Sequence, residues 1–337
     1  MQIRSNGELD GVIFFDHNIP SPDINLTDIQ KLIRFKEHAV SAFAKARILR
    51  ELEDKNHEVE TSYRKISDSI RYARRIQRAI LPSEDQLKGY FKDYFLVYRP
   101  KDIVSGDFYW FAETVPEPIF ALEHTGNGHT SVFKGFQDMK AVMAVVDCTG
   151  HGVPGAFMTV IGNDLLYSIV MEEKVVRAHQ ILDKLDRNVR MYLKQEEGNR
   201  SQDGMDMSLI VIDEGNHSIE FAGAKNPVYF IRDGVLHQIK GSKHPIGGIQ
   251  IKNKVFRSHT LSYLPGDVFY LFSDGFTDQF GGKEDRKYGS RRFRELLLET
   301  HTLGSMSAQK EALEQELDFW QGANNQTDDI LVVGLKF

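Results

Sequence analysis

The stretch AVMAVVDCTGHGVPGAFM, residues 141–158, decides the fold. Its first six residues are all apolar, which is typical of a short strand that is buried on both faces. The residues from Pro154 onward have a helical pattern, and a glycine-rich turn separates them from the strand. Asp147 therefore lies where a buried strand ends. A carboxylate at such a place is costly to bury unless something neutralises it.

Short apolar runs that end at glycine or aspartate recur on both sides of this stretch. Strands are predicted over residues 95–98, 108–111, 141–146, 208–212, 219–222, 228–231, 268–272 and 330–335. Helices are predicted over residues 154–172, 178–195, 290–300 and 307–320. Because the strands come in runs and the helices are grouped, the pattern favours an α+β fold over a doubly wound sheet.

Four aspartates flank these predicted strands: Asp107, Asp147, Asp274 and Asp328. Each one alone is most simply a turn residue at a strand end. As a set they predict a shared cation site, because neighbouring strands would direct their acids to one point. Oxygen ligands suit magnesium and manganese, whereas a zinc site of the usual type is disfavoured because the chain has one cysteine and therefore no cysteine pair. Two such ions can activate water and hold both oxygens of an in-line displacement at phosphorus.

Composition bounds the class of protein. The chain has 337 residues, of which 41% are hydrophobic and 27% charged, enough for a large domain with an appendage or for two domains. A net charge of -6 gives no reason to expect nucleic acid or an anionic membrane as a partner. The single cysteine, Cys148, excludes an intramolecular disulfide. Without a signal-peptide pattern or an apolar run of about 20 residues, we expect a cytoplasmic protein.

Residues 27–80 contain neither proline nor glycine, which predicts one long helix. From Leu49 to Ile80, ten positions follow one another at alternating spacings of three and four residues, and eight of them are apolar. This heptad frame, with Asn56 at an a position, is typical of a parallel coiled-coil homodimer. The alternative is a single amphipathic helix lying on its own domain. The apolar run at residues 11–15 is a small strand, a docking segment or the remnant of something larger.

Several segments, in this order, resemble the PPM-type metal-dependent protein phosphatases, in the bacterial SpoIIE-like branch. They are SIRYARRIQRAILP (69–82), RPKDIVSGDF (99–108), DCTGHGVPGAFM (147–158), GDVFYLFSDGFTD (266–278) and TDDILVV (327–333), with weaker matches at FAGAKNP (221–227) and HPIG (244–247). The resemblance covers about residues 69–337. It implies a central β-sandwich flanked by helices, here preceded by a long N-terminal helix or coiled coil. The implied organisation is a short segment of unknown role (1–26), a helical or coiled-coil segment (27–82) and the phosphatase domain (83–337).

The resemblance also implies which residues hold two manganese or magnesium ions. Asp147 would bridge the metals, and the backbone carbonyl of Cys148 would be a further ligand. Asp274 and Asp328 would complete the shell of one ion, and Asp107 would lie on the other ion or its waters. Metal-bound water would attack a phosphoserine or phosphothreonine directly, without a phosphoenzyme.

Catalysis would involve Asp147 together with His151, a candidate proton donor to the leaving group. Asp329 matches a position beside the metal ligands and ranks second to them. Lys225 stands where relatives often carry a histidine beside Asn-Pro. The phosphate-binding arginine of the eukaryotic enzymes has no clear counterpart, and Arg99 is the candidate considered for it. The implied partner is a phosphorylated regulatory protein, such as an anti-sigma-factor antagonist.

Other functions compete with this interpretation. Residues 150–155 read G-x-G-x-x-G between a strand and a helix, which is the pattern of a dinucleotide site. Asp147 would place negative charge beside the pyrophosphate, and Pro154 lacks the N–H that such a turn needs. Pro154 also stands where a cysteine phosphatase needs arginine. A non-enzymatic alternative is a catalytically weak signalling adaptor that acts through its coiled coil.

Overall fold

The protein is described here by a computed structural model, which covers residues 2–5, 8–12, 26–116, 118–125, 128–136, 139–195, 201–248, 251 and 254–337. The chain divides into two compact units, Met1–Ser69 and Ile70–Phe337. Of the apolar run at residues 11–15, the last three residues lie outside the described part of the chain.

The first unit contains a hairpin and most of a long helix. Strands β1 (Gln2–Ser5) and β2 (Glu8–Val12) pair in antiparallel fashion. Helix α1 runs from Leu26 to Ile80, so the long helix predicted over residues 27–80 is confirmed. From Leu49 to Ile66 the apolar side chains at the heptad positions are at least half exposed, for example Leu52 at 54% and Val59 at 65%. This apolar face is therefore free of cover by the described residues.

The second unit is built from antiparallel strands followed or interrupted by helices. The strands are β3 (Asp93–Arg99), β4 (Asp107–Glu113), β5 (Pro118–Thr125), β6 (Gly128–Phe136), β7 (Lys140–Cys148), β8 (Gly204–Asp213), β9 (Ser218–Ala224), β10 (Val228–Arg232), β11 (Val235–Ile239), β12 (Ile246–Gly247), β13 (Ser258–Ser262), β14 (Val268–Phe272), β15 (Phe280–Gly281), β16 (Arg286–Lys287) and β17 (Ile330–Lys336). The helices are α2 (Glu84–Tyr90), α3 (Gly152–Tyr167) with a π-helical turn (Ser168–Glu172), α4 (Ala178–Tyr192), α5 (Gly275–Asp278), α6 (Ser290–His301) and α7 (Met306–Gln321).

Two sheets pack face to face as a β-sandwich. One has the strand order β13-β9-β8-β7-β4, with β12 paired to β8, and the other has the order β11-β10-β14-β17-β3. Helices α3 and α4 cover the outer face of the first sheet, and α6 and α7 cover that of the second. The predicted α+β sandwich flanked by helices is thus confirmed.

Strand β7 explains why the opening stretch is so apolar. It lies between β4 and β8, with helix α3 on one side and the second sheet on the other. Val142, Met143 and Val145 are fully buried. Burying each such side chain contributes roughly 1.5–3 kcal/mol, and no face of the strand is left for polar residues.

The stretch Gly152–Glu172 is the one helical segment of the described chain that is long and apolar enough to cross a membrane by those two criteria. Its residues Leu165, Leu166, Ile169 and Val170 are buried in the core of the sandwich unit. The apolar character is therefore accounted for by packing against the sheet.

Candidate active site

Three aspartates form a row across the first sheet. In the antiparallel ladders Asp107 of β4 lies opposite Asp147 of β7, and Asp147 lies opposite Asp206 of β8. Residues directly opposite one another in such ladders project from the same face. The row lies at the end of the sheet where β4 and β8 begin and β7 ends. Asp206 was not among the residues predicted from the sequence.

The second sheet brings two more aspartates to the same place. Asp274 follows the end of β14, and Asp328 precedes the start of its ladder partner β17. The backbone N–H of Ser273 donates to the carbonyl of Leu331 at 2.9 Å, which joins these two strand ends. The backbone N–H of Asp274 donates to the carboxylate of Asp147, so the ends of the two sheets meet.

These residues surround a cavity of about 310 Å³. The sequence-predicted residues Asp147, Cys148, Asp274 and Asp328 line it, together with Asp206. The structure thus brings together residues that are up to 181 positions apart in the chain (147 to 328). Asp107 lies behind this lining, opposite Asp147 and 3% exposed.

The carboxylates are electrostatically strained. Burial raises the pKa of Asp107 well above its usual value, and the charge of Asp147 raises it further. Burial also raises the pKa of Asp147, with added repulsion from Asp274 and Asp206. Partial burial and the charges of Asp278 and Asp328 raise the pKa of Asp274. Each of these carboxylates would be stabilised in its charged form by a cation.

The donor set fits divalent cations of the magnesium or manganese type. It consists of carboxylates beside a strand-end backbone, and one oxygen of Asp107, Oδ2, is buried without a hydrogen-bond partner. Among the described residues, no three carboxylate, histidine or cysteine side chains come close enough to form a preassembled metal-binding group. Two of the acids are bonded to other groups: Asp206 to Lys225, and Asp328 to the backbone N–H of Asp329 at 2.8 Å.

Two lysines line the same cavity. Lys254 is 2% exposed in its side chain, and its Nζ is bonded to the carboxylate of Asp186 and the carbonyls of Pro245 and Gly247. Lys225 is half exposed, and its Nζ donates to Asp206 Oδ2 at 2.9 Å. Lys254 is therefore fixed by the scaffold, whereas Lys225 is available to a ligand.

The glycine-rich run after Asp147 serves close packing. A Cβ at Gly155 would lie 2.3 Å from the carbonyl oxygen of Gly150 and 2.7 Å from the Cα of Gly106. Real Cβ atoms do not approach backbone so closely. Gly155 is therefore required where helix α3 begins against the loop that carries Asp107, and the G-x-G-x-x-G pattern has a structural explanation.

Two buried side chains hold that loop from opposite sides. The carboxylate of Asp329 accepts the backbone N–H groups of Lys101 and Gly106, both at 2.7 Å. Gln77, near the end of α1, donates to the carbonyl of Ser105 at 2.6 Å and accepts its N–H at 3.1 Å. Asp329, ranked second from the sequence, thus has both oxygens committed to the backbone.

Two further predicted residues lie outside the cavity lining. His151 Nδ1 is 2.7 Å from Asp102 Oδ2, and its Nε2 is 3.0 Å from Lys101 Nζ. It marks the N-terminal end of α3, next to the cavity residue Gly150. Arg99 is ion-paired with Asp318 of α7, and that pairing accounts for its charge.

The family model of stage II sporulation protein E (SpoIIE) matches residues 137–337. The PP2C domain of SiaA from Pseudomonas aeruginosa is 32% identical, with 82% of this chain and 98% of that chain covered and a TM-score of 0.67. The chain belongs to the SpoIIE family. It is a PP2C-type (PPM) serine/threonine phosphatase, as the sequence motifs predict.

Two more distant structures share the fold. The phosphatase domain of Bacillus subtilis SpoIIE, with a fragment of its regulatory domain, is 17% identical, with 73% of this chain and 63% of that chain covered and a TM-score of 0.50. The RsbU and RsbW domains of a Mycobacterium tuberculosis protein are 17% identical, with coverages of 72% and 59% and a TM-score of 0.51. No curated protein sequence matches the chain significantly. Dependence on divalent metals is general in this family.

Proposed function

We propose that the chain is a cytoplasmic, metal-dependent phosphatase that hydrolyses phosphoserine or phosphothreonine on a regulatory protein in bacterial signalling. The observation that carries the proposal is the meeting of carboxylates from both sheets around one cavity. Four of them line it, which is a large excess of negative charge for a cavity of about 310 Å³. A dinucleotide or another anionic cofactor would be repelled there, whereas cations are attracted.

Asp147, Asp274 and Asp328, with the backbone carbonyl of Cys148, would hold two manganese or magnesium ions, and Asp107 would support the second ion from behind Asp147. Asp206 is a further candidate ligand. When bound, the ions would act as Lewis acids that activate water and neutralise the phosphoryl oxygens. The buried surroundings of Asp107 and Asp147 exclude bulk water, which strengthens every charge interaction in the site.

Lys225 is the residue of this chain that we assign to the phosphoryl group of the substrate. Its ammonium lies at the cavity, and its one carboxylate partner within the described part of the chain is Asp206. Its backbone is anchored, because the N–H of Lys225 donates to the carbonyl of Ser242 at 2.7 Å. An ammonium on a flexible stem with a fixed base can reach a phosphoryl oxygen as a point charge. His151, held by Asp102, remains the candidate proton donor to the leaving group.

Hydrolysis of p-nitrophenyl phosphate and of phosphoproteins tests the proposal. We expect turnover that requires manganese or magnesium, is lost on chelation, and falls by at least about a hundredfold in Asp147→Asn and Asp274→Asn, in line with the loss of a metal or charge-stabilising group. Asp233→Asn, in the exposed turn between β10 and β11, is the control with the same change of charge. Full activity in chelator, or in both cavity variants, would refute the assignment.

We further propose that α1 forms a parallel homodimer through its exposed heptad face. Apolar side chains at Leu49, Leu52, Val59 and Ile66 are all at least 50% exposed in the single chain. Pairing two such helices would remove this apolar surface from water. The dimer would then couple to the active site through Gln77, which bonds the loop carrying Asp107.

A further inference from the structure

A basic groove lies beside the cavity. Its lining contains five side chains that are cationic or can become so: Lys240, Lys243, His244, Arg257 and His259. The groove has a volume of about 500 Å³ and is formed by the segment that follows β11, by the residues before β13, and by β13 itself.

The positive charge of this groove is not neutralised locally. Within the described part of the chain, Lys240, Lys243 and Arg257 take part in no ion pair, and all three side chains belong to exposed residues. The chain as a whole carries a net charge of -6, so the groove departs in sign from the rest of the molecule. Unpaired cations gathered in a concave surface attract anionic partners and steer their approach.

The groove and the cavity are lined by adjacent residues of the chain. His244 lines the groove and the next residue, Pro245, lines the cavity. Ser242 fixes the wall between them: its N–H donates to the carbonyl of Gly223, and its hydroxyl accepts the N–H of Arg257 at 3.1 Å. The two sites thus meet at residues 244 and 245, which favours one extended ligand that occupies both.

We propose that this groove binds an acidic segment next to the phosphorylated residue of the protein substrate. The inference rests on the proposed phosphatase function and narrows its substrate class to phosphoproteins with aspartate or glutamate flanking the phosphoserine or phosphothreonine on one side. The charge complementarity is local: the lysines and the arginine meet the acidic flank, while the cavity receives the phosphoryl group.

Binding and hydrolysis of matched phosphopeptides test this. Three phosphoserine peptides of equal length are compared. The first carries acidic residues before the phosphoserine, the second carries them after it, and the third, the amide peptide, carries asparagine or glutamine on both sides. We expect the full-length protein to bind one acidic peptide about tenfold more tightly than the amide peptide, by fluorescence anisotropy in chelator, with a preference that weakens at high salt. The triple variant Lys240→Ala/Lys243→Ala/Arg257→Ala should lose this preference. The control Lys92→Ala/Arg187→Ala/Lys283→Ala removes the same charge elsewhere and should keep it.

The same peptides then serve as substrates with manganese, beside p-nitrophenyl phosphate, which is too small to reach the groove. The triple variant should lower kcat/KM on the preferred peptide about tenfold relative to kcat/KM on p-nitrophenyl phosphate, because about three surface ion pairs are lost. The inference is overturned if the acidic and amide peptides bind equally well. It is also overturned if the triple variant keeps its preference for the acidic peptide and loses binding only to single-stranded RNA or anionic vesicles. If the wild type hydrolyses no phosphoester, the proposed phosphatase function is refuted. The anisotropy measurement still shows whether the groove binds an acidic segment.

Discussion

Gln77 links the end of α1 to the loop that carries Asp107, and replacing it tests whether this link holds the site. The side chain is 4% exposed, and both of its polar atoms bond the backbone of Ser105. Gln77→Met keeps nearly the same volume and removes both hydrogen bonds, so that packing changes little.

The expected loss of stability in Gln77→Met depends on which hydrogen bonds the backbone of Ser105 keeps. Its carbonyl still accepts the hydroxyl of Thr159 at 3.1 Å, whereas its N–H has no other partner among the bonds of the described residues. One lost hydrogen bond costs about 1 kcal/mol, and leaving a buried N–H unsatisfied costs about 1–3 kcal/mol. The free energy of unfolding of Gln77→Met should therefore be about 2–4 kcal/mol lower than that of the wild type. For a unit of this size, this corresponds to a Tm that is lower by roughly 5–10 °C.

Thermal unfolding followed by circular dichroism, together with turnover of p-nitrophenyl phosphate, measures both consequences. The control is Gln86→Met, because Gln86 also bonds backbone, accepting the N–H of Ser83 at 2.8 Å, but is exposed in the capping box of α2. It should lose about 1 kcal/mol and no activity. A Gln77→Met protein that is as stable as Gln86→Met and fully active would refute the role of Gln77.

Four further outcomes are expected. Gly155→Ala should destabilise the second unit by several kcal/mol in urea unfolding, because its Cβ would meet the backbone of Gly150 and Gly106. The control Gly89→Ala has open space around it and should raise the free energy of unfolding by about 0.5–1 kcal/mol. Asp329→Ala should lower the free energy of unfolding by about 3 kcal/mol and reduce turnover, since the part-buried N–H of Lys101 and the buried N–H of Gly106 lose a charged acceptor. An unchanged protein would contradict this. Manganese at a hundredfold excess over its Kd should stabilise the wild type by about 2.7 kcal/mol in calorimetry, and Asp147→Asn should lose most of this gain. Val59→Glu should convert a dimer into a monomer by light scattering, whereas Tyr72→Glu, off the heptad seam, should not; equal masses for both variants would count against the coiled coil.

The strands buried on both faces were predictable, and the exposed ones were not. Strands β7 and β14 consist almost entirely of buried apolar residues, so their runs stand out in the sequence. Strands β11 and β13 lie at the edges of the two sheets and read VLHQI and SHTLS, with most side chains exposed. Among the described residues, the strands of the hairpin β5–β6 pair only with each other. Strands β11 and β13 lack a strong sequence pattern because little of their surface is buried.

The aspartates of the candidate site that stand at strand ends could be predicted from the sequence. The predicted set lacked the one aspartate that stands inside a strand. Asp206 lies within β8, between the buried Met205 and Met207. A carboxylate inside an otherwise apolar run is costly without compensation, and this signal was available in the sequence. The predicted strand began at residue 208, two positions too late to include it, whereas β8 begins at Gly204.

Lys225 shows what the sequence alone cannot provide. It differs visibly from the histidine that relatives often carry, but its role depends on the ladder that pairs Met207 with Ala224. This pairing places Lys225 beside Asp206 across the strands, and a backbone φ of +60° helps to direct its side chain to the cavity. A lysine and an aspartate that are 19 residues apart thereby become an ion pair, and no local pattern encodes that distance.

The two adjacent regions of the second unit carry opposite charge, and this separates metal binding from substrate docking. The cavity has four lining carboxylates against Lys225 and Lys254, and the latter is already paired with Asp186. A phosphoryl dianion approaching this cavity is repelled until cations have been bound. The basic groove attracts an acidic flank irrespective of whether cations are bound, since its lysines and arginine lie outside the carboxylate cluster. On this arrangement the groove would determine which phosphoprotein is held, and the metal-filled cavity would determine whether it is hydrolysed.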